Sequence, residues 1–350
     1  MTIDEKYMQR CIELATSGAG QVAPNPMVGA VLVHDQTIIG EGYHQFYGQA
    51  HAEVNCLLAV SEDNKKYIPA ATLYVSLEPC VHHGKTPPCT DLIIEHRIPR
   101  VVLGCGDPFE KVNGKGIDKL RNAGVEVKTF VLEKECIELN RRFFTFYQKH
   151  RPYIILKWAQ SANAKLARQD FSRVFISNEI TNRLVHRWRS EESSIMVGTN
   201  TALRDDPELT VRLWKGKYPV RLVIDMNLNL PQRLKIFNTQ AHTIIFNSIK
   251  HLGAGNLLYY QVTQGRSVIA QVVQALHQLR IQSVLVEGGA RLLQSFIDEG
   301  IWDEARIIIN EDLMIEDGLP APDLRNATQT HIDTVLNDRI HYYHPHIIKN

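Results

Sequence analysis

The chain has 350 residues, more than one hydrophobic core usually serves, so two domains are expected. Its 39 basic and 38 acidic side chains leave a net charge of +1 with no block of like charge, which argues against DNA or RNA as a partner and for a small-molecule substrate. No apolar run approaches the ~20 residues of a membrane span, "MTIDEKYMQRCIELA" lacks the apolar core of a signal peptide, and six cysteines are too few for a disulfide scaffold, so a cytoplasmic protein is expected.

Taken in chain order, Tyr7, Met8, Cys11, Ile12 and Leu14 recur at helical spacing and predict an amphipathic helix over 4–15, broken by Gly18, Gly20, Pro24 and Pro26. "VGAVLVHDQTIIGEGYH" reads as two strands joined by a turn at His34-Asp35, and "HAEVNCLLAV" returns to helical spacing. "ATLYVSLEPC" is an apolar strand stopped by Pro79, and "TPPCTDLIIEHRI" is a helix entered through Pro87 and Pro88, since proline is tolerated in a first turn. "RVVLGCGDP" predicts a buried strand, "GKGIDKLRNAG" a helix ended by Gly124, and "VEVKTFVL" a further strand. The alternation predicts an α/β layer structure.

Pro152 follows the helical stretch "ECIELNRRFFTFYQKH" and opens a β-rich run, placing a domain boundary near residue 150. Beyond it, "NEITNRLVHRWRSE", "SVIAQVVQALHQLR" and "ARLLQSFIDEG" predict helices, while "SIMVGTN", "VRLVID", "SVLVEGG" and "EARIIIN" predict strands. No internal repeat is visible.

The chemistry concentrates in "HAE" at 51–53 and "EPCVHHGKTPPC" at 78–89. A catalytic zinc takes three nitrogen or sulfur ligands and keeps a fourth position for water, whose pKa it lowers. His51, Cys80 and Cys89 make such a set, and Glu53, near the start of the same helix as His51, is placed to move protons. Zinc nucleobase deaminases combine H-x-E with P-C-x-x-C. Here the second cysteine follows after eight residues, "VHHGKTPP", long enough to rise over the metal, and Cys89 would open a helix whose dipole favours its thiolate. Isolated cysteines in apolar segments are more often core, and Cys11, Cys56, Cys105 and Cys136 are read that way. His82 and His83 are read as substrate-facing.

With these motifs in view, the sequence resembles the RibD family of bifunctional riboflavin-biosynthesis proteins along nearly its whole length. The resemblance rests on "PNPMVGAVLV", "GYHQFYGQAHAEVNCL", "EPCVHHGKTPPC", "GCGDPFEKVNGKG", "KWAQSANAK", "HRWRSEESSIMVGTNTALRDDPELTVR" and "VEGGARLLQSF". It implies a cytidine-deaminase-like α/β/α layer domain over 1–150 and a dihydrofolate-reductase-like α/β domain over 151–350. The implied reactions are zinc-dependent deamination of 2,5-diamino-6-ribosylamino-4(3H)-pyrimidinone 5′-phosphate, then NADPH-dependent reduction of the ribosyl group to ribityl. A homodimer through the second domain is also implied.

Carried over by position, the resemblance gives His51, Cys80 and Cys89 to zinc, Glu53 to proton transfer, and Asn25, His44, His83, Lys85 and Asp107 to the deaminase substrate. In the second domain it gives Arg189, Leu209, Arg212 and Glu287 to substrate, the arginines suited to phosphate by their paired donors. Phe175, Thr201, Asp205 and Gly289, Ala290, Arg291, Leu292, Leu293, Gln294 and Ser295 fall at NADPH positions. The physics of "VEGGA" agrees, because a strand, a glycine turn and a helix start present backbone N–H groups to phosphate. By itself a Gly-Gly pair is more often a plain turn, and Arg189 on its helix more often a solvated residue.

Three departures stand out. Phe109 replaces an asparagine of the common "DPNP", with Asn113 the nearest substitute; "SANAK" places Asn163 and Ala164 where "SLDGK" has aspartate and glycine; and Phe175 replaces a frequent tryptophan. They motivate a second reading, in which the deaminase is joined to a domain that binds substrate but reduces it weakly or not at all.

Overall fold

The computed structural model describes residues 1–82, 87–110, 112–170, 172–263 and 265–346. They fall into two compact units, Met1–His150 and Arg151–Asn350.

The first unit runs α1 (Ile3–Thr16), β1 (Gly29–His34), β2 (Thr37–Tyr43), α2 (Ala52–Leu58), β3 (Thr72–Leu77), α3 (Cys89–Glu95), β4 (Arg100–Cys105), α4 (Lys115–Asn122), β5 (Glu126–Lys128), α5 (Glu133–Leu139) and α6 (Arg141–Gln148). The helix predicted over 4–15 is fixed at its start by a capping box between Thr2 and Glu5. The strands order as β2-β1-β3-β4-β5, with β1 antiparallel to both neighbours and β3, β4 and β5 parallel. Alternate strand residues point to opposite faces, and each face has its own core. Ala30, Leu32, Leu73, Val75, Val101 and Leu103 meet α2, α3 and α4 through Cys56, Leu57, Ile93 and Leu120. Val31, Tyr74 and Val102 meet α1, α5 and α6 through Met8, Cys11, Cys136 and Phe143. The result is an α/β/α layer. The predicted strand "VEVKTFVL" contracts to three residues, because Phe130 and Leu132 take left-handed backbone conformations that end the ladder.

The second unit runs β6 (Tyr153–Ser161), β7 (Lys165–Arg168), α7 (Glu179–Glu191), β8 (Ser194–Gly198), α8 (Thr199–Asp205), β9 (Val220–Ile224), β10 (Thr243–Asn247), β11 (Leu252–Ala254), β12 (Leu257–Gln261), α9 (Val268–Gln278), β13 (Ser283–Glu287), α10 (Ala290–Asp298), β14 (Glu304–Asn310), β15 (Gly318–Pro320), β16 (Ala327–Val335) and β17 (Asp338–Pro345). Ten strands form a sheet ordered β11-β12-β10-β9-β8-β13-β6-β14-β17-β16, and β7 pairs separately with β15. The run from β12 to β14 is parallel, and β11, β16 and β17 are antiparallel at the two margins. Helices α9 and α10 cover one face through Val272, Leu276, Leu293 and Phe296, and α7 packs on the other through Val185 and Trp188. The predicted helices and strands occur in the expected order, but α8, β10 and β12 are additions to it, and "SIMVGTN" is strand only to Gly198, where α8 begins. The marginal strands are additions too: β16 is exposed along seven consecutive residues and shows no apolar alternation.

Candidate active sites

In the first unit the three expected ligands arrive from three directions. His51 is the N-cap of α2, Cys80 follows the end of β3, and Cys89 is the first residue of α3 behind Pro88. Helix α2 is seated close to the sheet by Gly42, where a Cβ would stand 2.3 Å from the Cys56 nitrogen. One ligand atom from each residue lies within 4.8 Å of the others. His51 Nδ1 is 3.3 Å from Cys89 Sγ and 3.6 Å from Cys80 Sγ. The Cys89 amide donates to Cys80 Sγ at 3.3 Å. Imidazole with two sulfurs at this separation fits zinc, which a purely structural cluster has no reason to match. The Cys80 thiol is held down to about 4, first by a hydrogen bond with Cys89 and then by His51, while the same contact and burial push Cys89 up.

Glu53, 3% exposed in the first turn of α2, lies against this trio and exchanges a hydrogen bond with Cys89. Burial pushes its carboxyl upward. Asn25 and His44 are joined at 3.1 Å, and His44 Nδ1 bonds the Ala50 carbonyl at 2.9 Å, so the pair sits beside the His51 ring, 5.4 Å away edge-on. Burial pushes the His44 pKa down. Asp107 is buried and its carboxyl rises to about 7, chiefly through desolvation, while it accepts from the Phe109 amide at 2.8 Å. His83 and Lys85 lie outside the described residues. His82 packs edge-on against Phe109, with 5.9 Å between ring centres, and Phe109 leans on Tyr147 at 5.1 Å. The residue that replaced an asparagine therefore builds an aromatic wall. Asn113 is exposed.

Glu78 was not singled out beyond its place in "EPC", yet it organises this region. Its buried carboxylate accepts from the amides of Asp107 at 3.2 Å, Gly114 at 3.0 Å, Gly116 at 2.8 Å and Ile117 at 3.3 Å. It pins the loop bearing Asp107 and caps the start of α4.

In the second unit Arg189, expected from its helix alone to be solvated, has a side chain only 13% exposed. Its guanidinium grips Glu287 with two bonds, Nε to Oε1 at 2.8 Å and Nη2 to Oε2 at 2.7 Å. The fork expected to hold phosphate is thus turned to a carboxylate. Lys157, opposite Glu287 in the ladder, adds its Nζ at 3.7 Å. Burial would raise the Glu287 carboxyl, but Arg189 and Lys157 overcome it and hold it down to about 2. Burial also pushes the Lys157 pKa down. Leu209 has a buried side chain and a left-handed φ of 53°, and Arg212 is exposed.

The "VEGGA" turn joins β13 to α10 through Gly288 and Gly289 at φ 75° and 74°, a region closed to most side chains. A Cβ there would stand 3.1 and 3.0 Å from the Thr201 side chain, so the backbone passes close to a second expected cofactor residue. Helix α10 carries no side-chain cap, leaving its first N–H groups for an anion, which fits a dinucleotide phosphate. Ala290, Arg291 and Leu292 lie in that first turn. Leu293, one residue further, has its side chain in the core and its amide bonded to the Gly289 carbonyl. Gln294 is occupied by the Asp323 backbone and Asp298, and Ser295 bonds back to the Arg291 carbonyl. Asp205 is exposed at the end of α8, and Phe175 is 73% exposed beneath the Arg173 guanidinium.

Comparison with known proteins now bears on this geometry. Residues 1–105 match the model of the cytidine and deoxycytidylate deaminase zinc-binding region, and residues 152–313 match that of the RibD C-terminal domain. The riboflavin biosynthesis protein RibD of Aquifex aeolicus is 42% identical over 328 residues, covering 92% of this chain and 90% of its own. The chain belongs to the RibD family. The Escherichia coli RibD is 33% identical over 332 residues, covering 90% of this chain and 89% of its own. A Thermotoga maritima structure described as a diaminohydroxyphosphoribosylaminopyrimidine deaminase/5-amino-6-(5-phosphoribosylamino)uracil reductase is 34% identical, covers 98% of this chain and 99% of its own, and superposes with a TM-score of 0.88. The fold is accordingly that of RibD, a cytidine-deaminase-like domain followed by a RibD reductase domain, with Zn2+ and NADPH as its cofactors. Among the described residues no helix is long and apolar enough to cross a membrane.

Lys157 carried no sequence signal beyond being a lone lysine within "YIILKWAQ".

Proposed function

We propose that the chain performs both RibD reactions with the residues assembled above. The first replaces the 2-amino group of 2,5-diamino-6-ribosylamino-4(3H)-pyrimidinone 5′-phosphate by oxygen from water, releasing ammonia. The second reduces the ribosyl group of the product to ribityl with NADPH. The observation that carries the reading is the His51, Cys80 and Cys89 trio with buried Glu53 against it.

Zinc, when held by these three side chains, supplies the Lewis acidity that makes water nucleophilic near neutral pH. Glu53 can take a proton at its carboxylate and return it to the departing nitrogen, because desolvation brings its pKa toward the working range. Asn25, oriented by His44, offers amide donors and an acceptor to a pyrimidine edge. Asp107, titrating near 7, can either donate or accept.

NADPH, when bound, supplies the hydride. Gly289 through Leu292, with Thr201, form its cradle in this proposal, and Phe175 and Asp205 lie at its margin. Glu287 is kept ionised by Arg189 and Lys157, and the desolvated Lys157 ammonium is placed to surrender a proton to the pentosyl ring oxygen that becomes a hydroxyl as the carbon takes up hydride. Arg212, exposed and unbonded by Glu287, is the better placed arginine for phosphate. A cytoplasmic homodimer belongs to the same proposal, supported by the exposed edge strand β16.

A one-pot assay with the diamino substrate, measuring ammonia and NADPH oxidation separately, tests both halves. Both signals are expected in sequence. Ammonia without any NADPH oxidation would leave the deaminase and sink the reductase assignment.

A further inference from the structure

His186 is a buried imidazole with one ring nitrogen bonded and the other unpartnered among the described residues. It lies on α7 one turn before Arg189 and is 4% exposed. It bonds the Thr210 backbone, and Arg189 Nη1 converges on the same residue's carbonyl at 3.4 Å. The other nitrogen, Nδ1, is buried and has no partner among the described residues. With Nε2–H given to Thr210, Nδ1 is an acceptor.

A buried acceptor without a donor costs roughly 1–3 kcal/mol, and each such atom in a folded protein calls for a reason. The surroundings supply one. His186 feels the charges of Arg189, Arg212 and Glu287, the cluster that also includes Lys157, while Val185 and Trp188 of the same helix pack into the apolar core and Thr181 and Ser190 are its other buried residues. Burial and the two arginines hold its pKa down to about 4, so the imidazole stays neutral and Nδ1 keeps its lone pair. The missing partner must be a donor. A phosphate presents only acceptors at neutral pH and is excluded, whereas the pentosyl chain of the substrate carries hydroxyl donors.

We propose that His186 Nδ1 accepts a hydrogen bond from a hydroxyl of the substrate's pentosyl chain during the reduction and so fixes that chain beside Lys157 and Glu287. The assignment rests on the reductase reading above. It makes His186 a substrate-binding residue, with Nε2 serving the separate task of holding the segment that bears Leu209 and Arg212.

The two nitrogens can be tested apart in the full-length, zinc-loaded protein, with 5-amino-6-(5-phosphoribosylamino)uracil and NADPH as probes. His186→Gln retains a donor near Nε2 and loses the acceptor at Nδ1; His186→Asn does the reverse. For His186→Gln, kcat/KM is expected to fall roughly tenfold, mostly through KM, the size of one lost hydrogen bond. NADPH affinity and ammonia release should not move. His186→Asn should recover most of that loss despite a lower melting temperature. Wild-type kcat/KM in His186→Gln would overturn the proposal, as would equal losses in both variants that track NADPH affinity and melting temperature. If the wild-type protein itself oxidised no NADPH with this substrate, the reductase reading would fall first.

Discussion

The two units place charged groups in dry surroundings by different routes. In residues 1–150 the zinc trio and Glu53 come from two short stretches of sequence, and each side chain is aimed by an element end: a helix N-cap, a strand terminus, a helix start. In residues 151–350 the central ion pair joins Arg189 to Glu287 across 98 positions, and Lys157 joins from a third element. The first arrangement is held by local geometry at the ends of neighbouring elements. The second sets one carboxylate between two cations and depends on the sheet register that places Lys157 opposite Glu287. Local constellations leave sequence signatures, and register-dependent ones do not.

This contrast can be broken most sharply at Glu53. Glu53→Ala should lower ammonia release by on the order of 10³-fold, within the range for a lost general acid–base, while zinc content and NADPH oxidation with the deaminated intermediate persist. Retention of ammonia release in a zinc-loaded variant would remove Glu53 from the chemistry. In the other unit, Arg189→Met leaves Glu287 with Lys157 alone, and a broken buried pair costs about 3–5 kcal/mol. Urea unfolding should register that loss, together with abolished reduction and unchanged zinc content.

Next in size, Glu78→Gln removes the charge that holds four amides. A loss of about 1.5–3 kcal/mol is expected, along with a raised KM for deamination, because the loop carrying Asp107 loosens. Equal stability in the variant would show that water replaces the carboxylate at no cost.

The pH dependence of stability should differ in sign between Glu287 and Asp107. Glu287 has its pKa lowered from 4.5 to about 2, so its contribution is present above 4.5 and lost as pH falls through that interval. Asp107 has its pKa raised from 3.8 to about 7, so the folded state holds the extra proton and stability declines as pH rises from about 4 to 7. Asp107→Asn should flatten the second slope and leave the first, which unfolding measured across pH 2–8 would reveal.

The smallest effect is expected at Ala164, whose φ of 55° suits glycine. Ala164→Gly should stabilise by up to about 1 kcal/mol. Asn163 gives the opposite lesson. Its amide accepts from the Ile315 amide at 3.2 Å and donates to the Ile315 carbonyl at 2.9 Å. An aspartate could not make the second bond, so this departure from "SLDGK" carries its own structural compensation, whereas Ala164 retains the strain.

Much was legible in the sequence alone. Helical and alternating periodicities marked α1 to α4 and the central strands of both sheets, because a half-buried element must repeat its apolar residues at its own period. The spacing of His51, Glu53, Cys80 and Cys89 announced a metal centre, since ligands set at element ends are close in sequence to the turns that aim them. Tertiary structure alone decided that Glu78 clamps the Asp107 loop, that Arg189 is buried against Glu287, that Lys157 joins them, that Leu293 belongs to the core, and that His186 Nδ1 finds no partner among the described residues. These depend on which strands lie side by side and which helix face is covered, and pairing between elements far apart in the chain has no period to betray it.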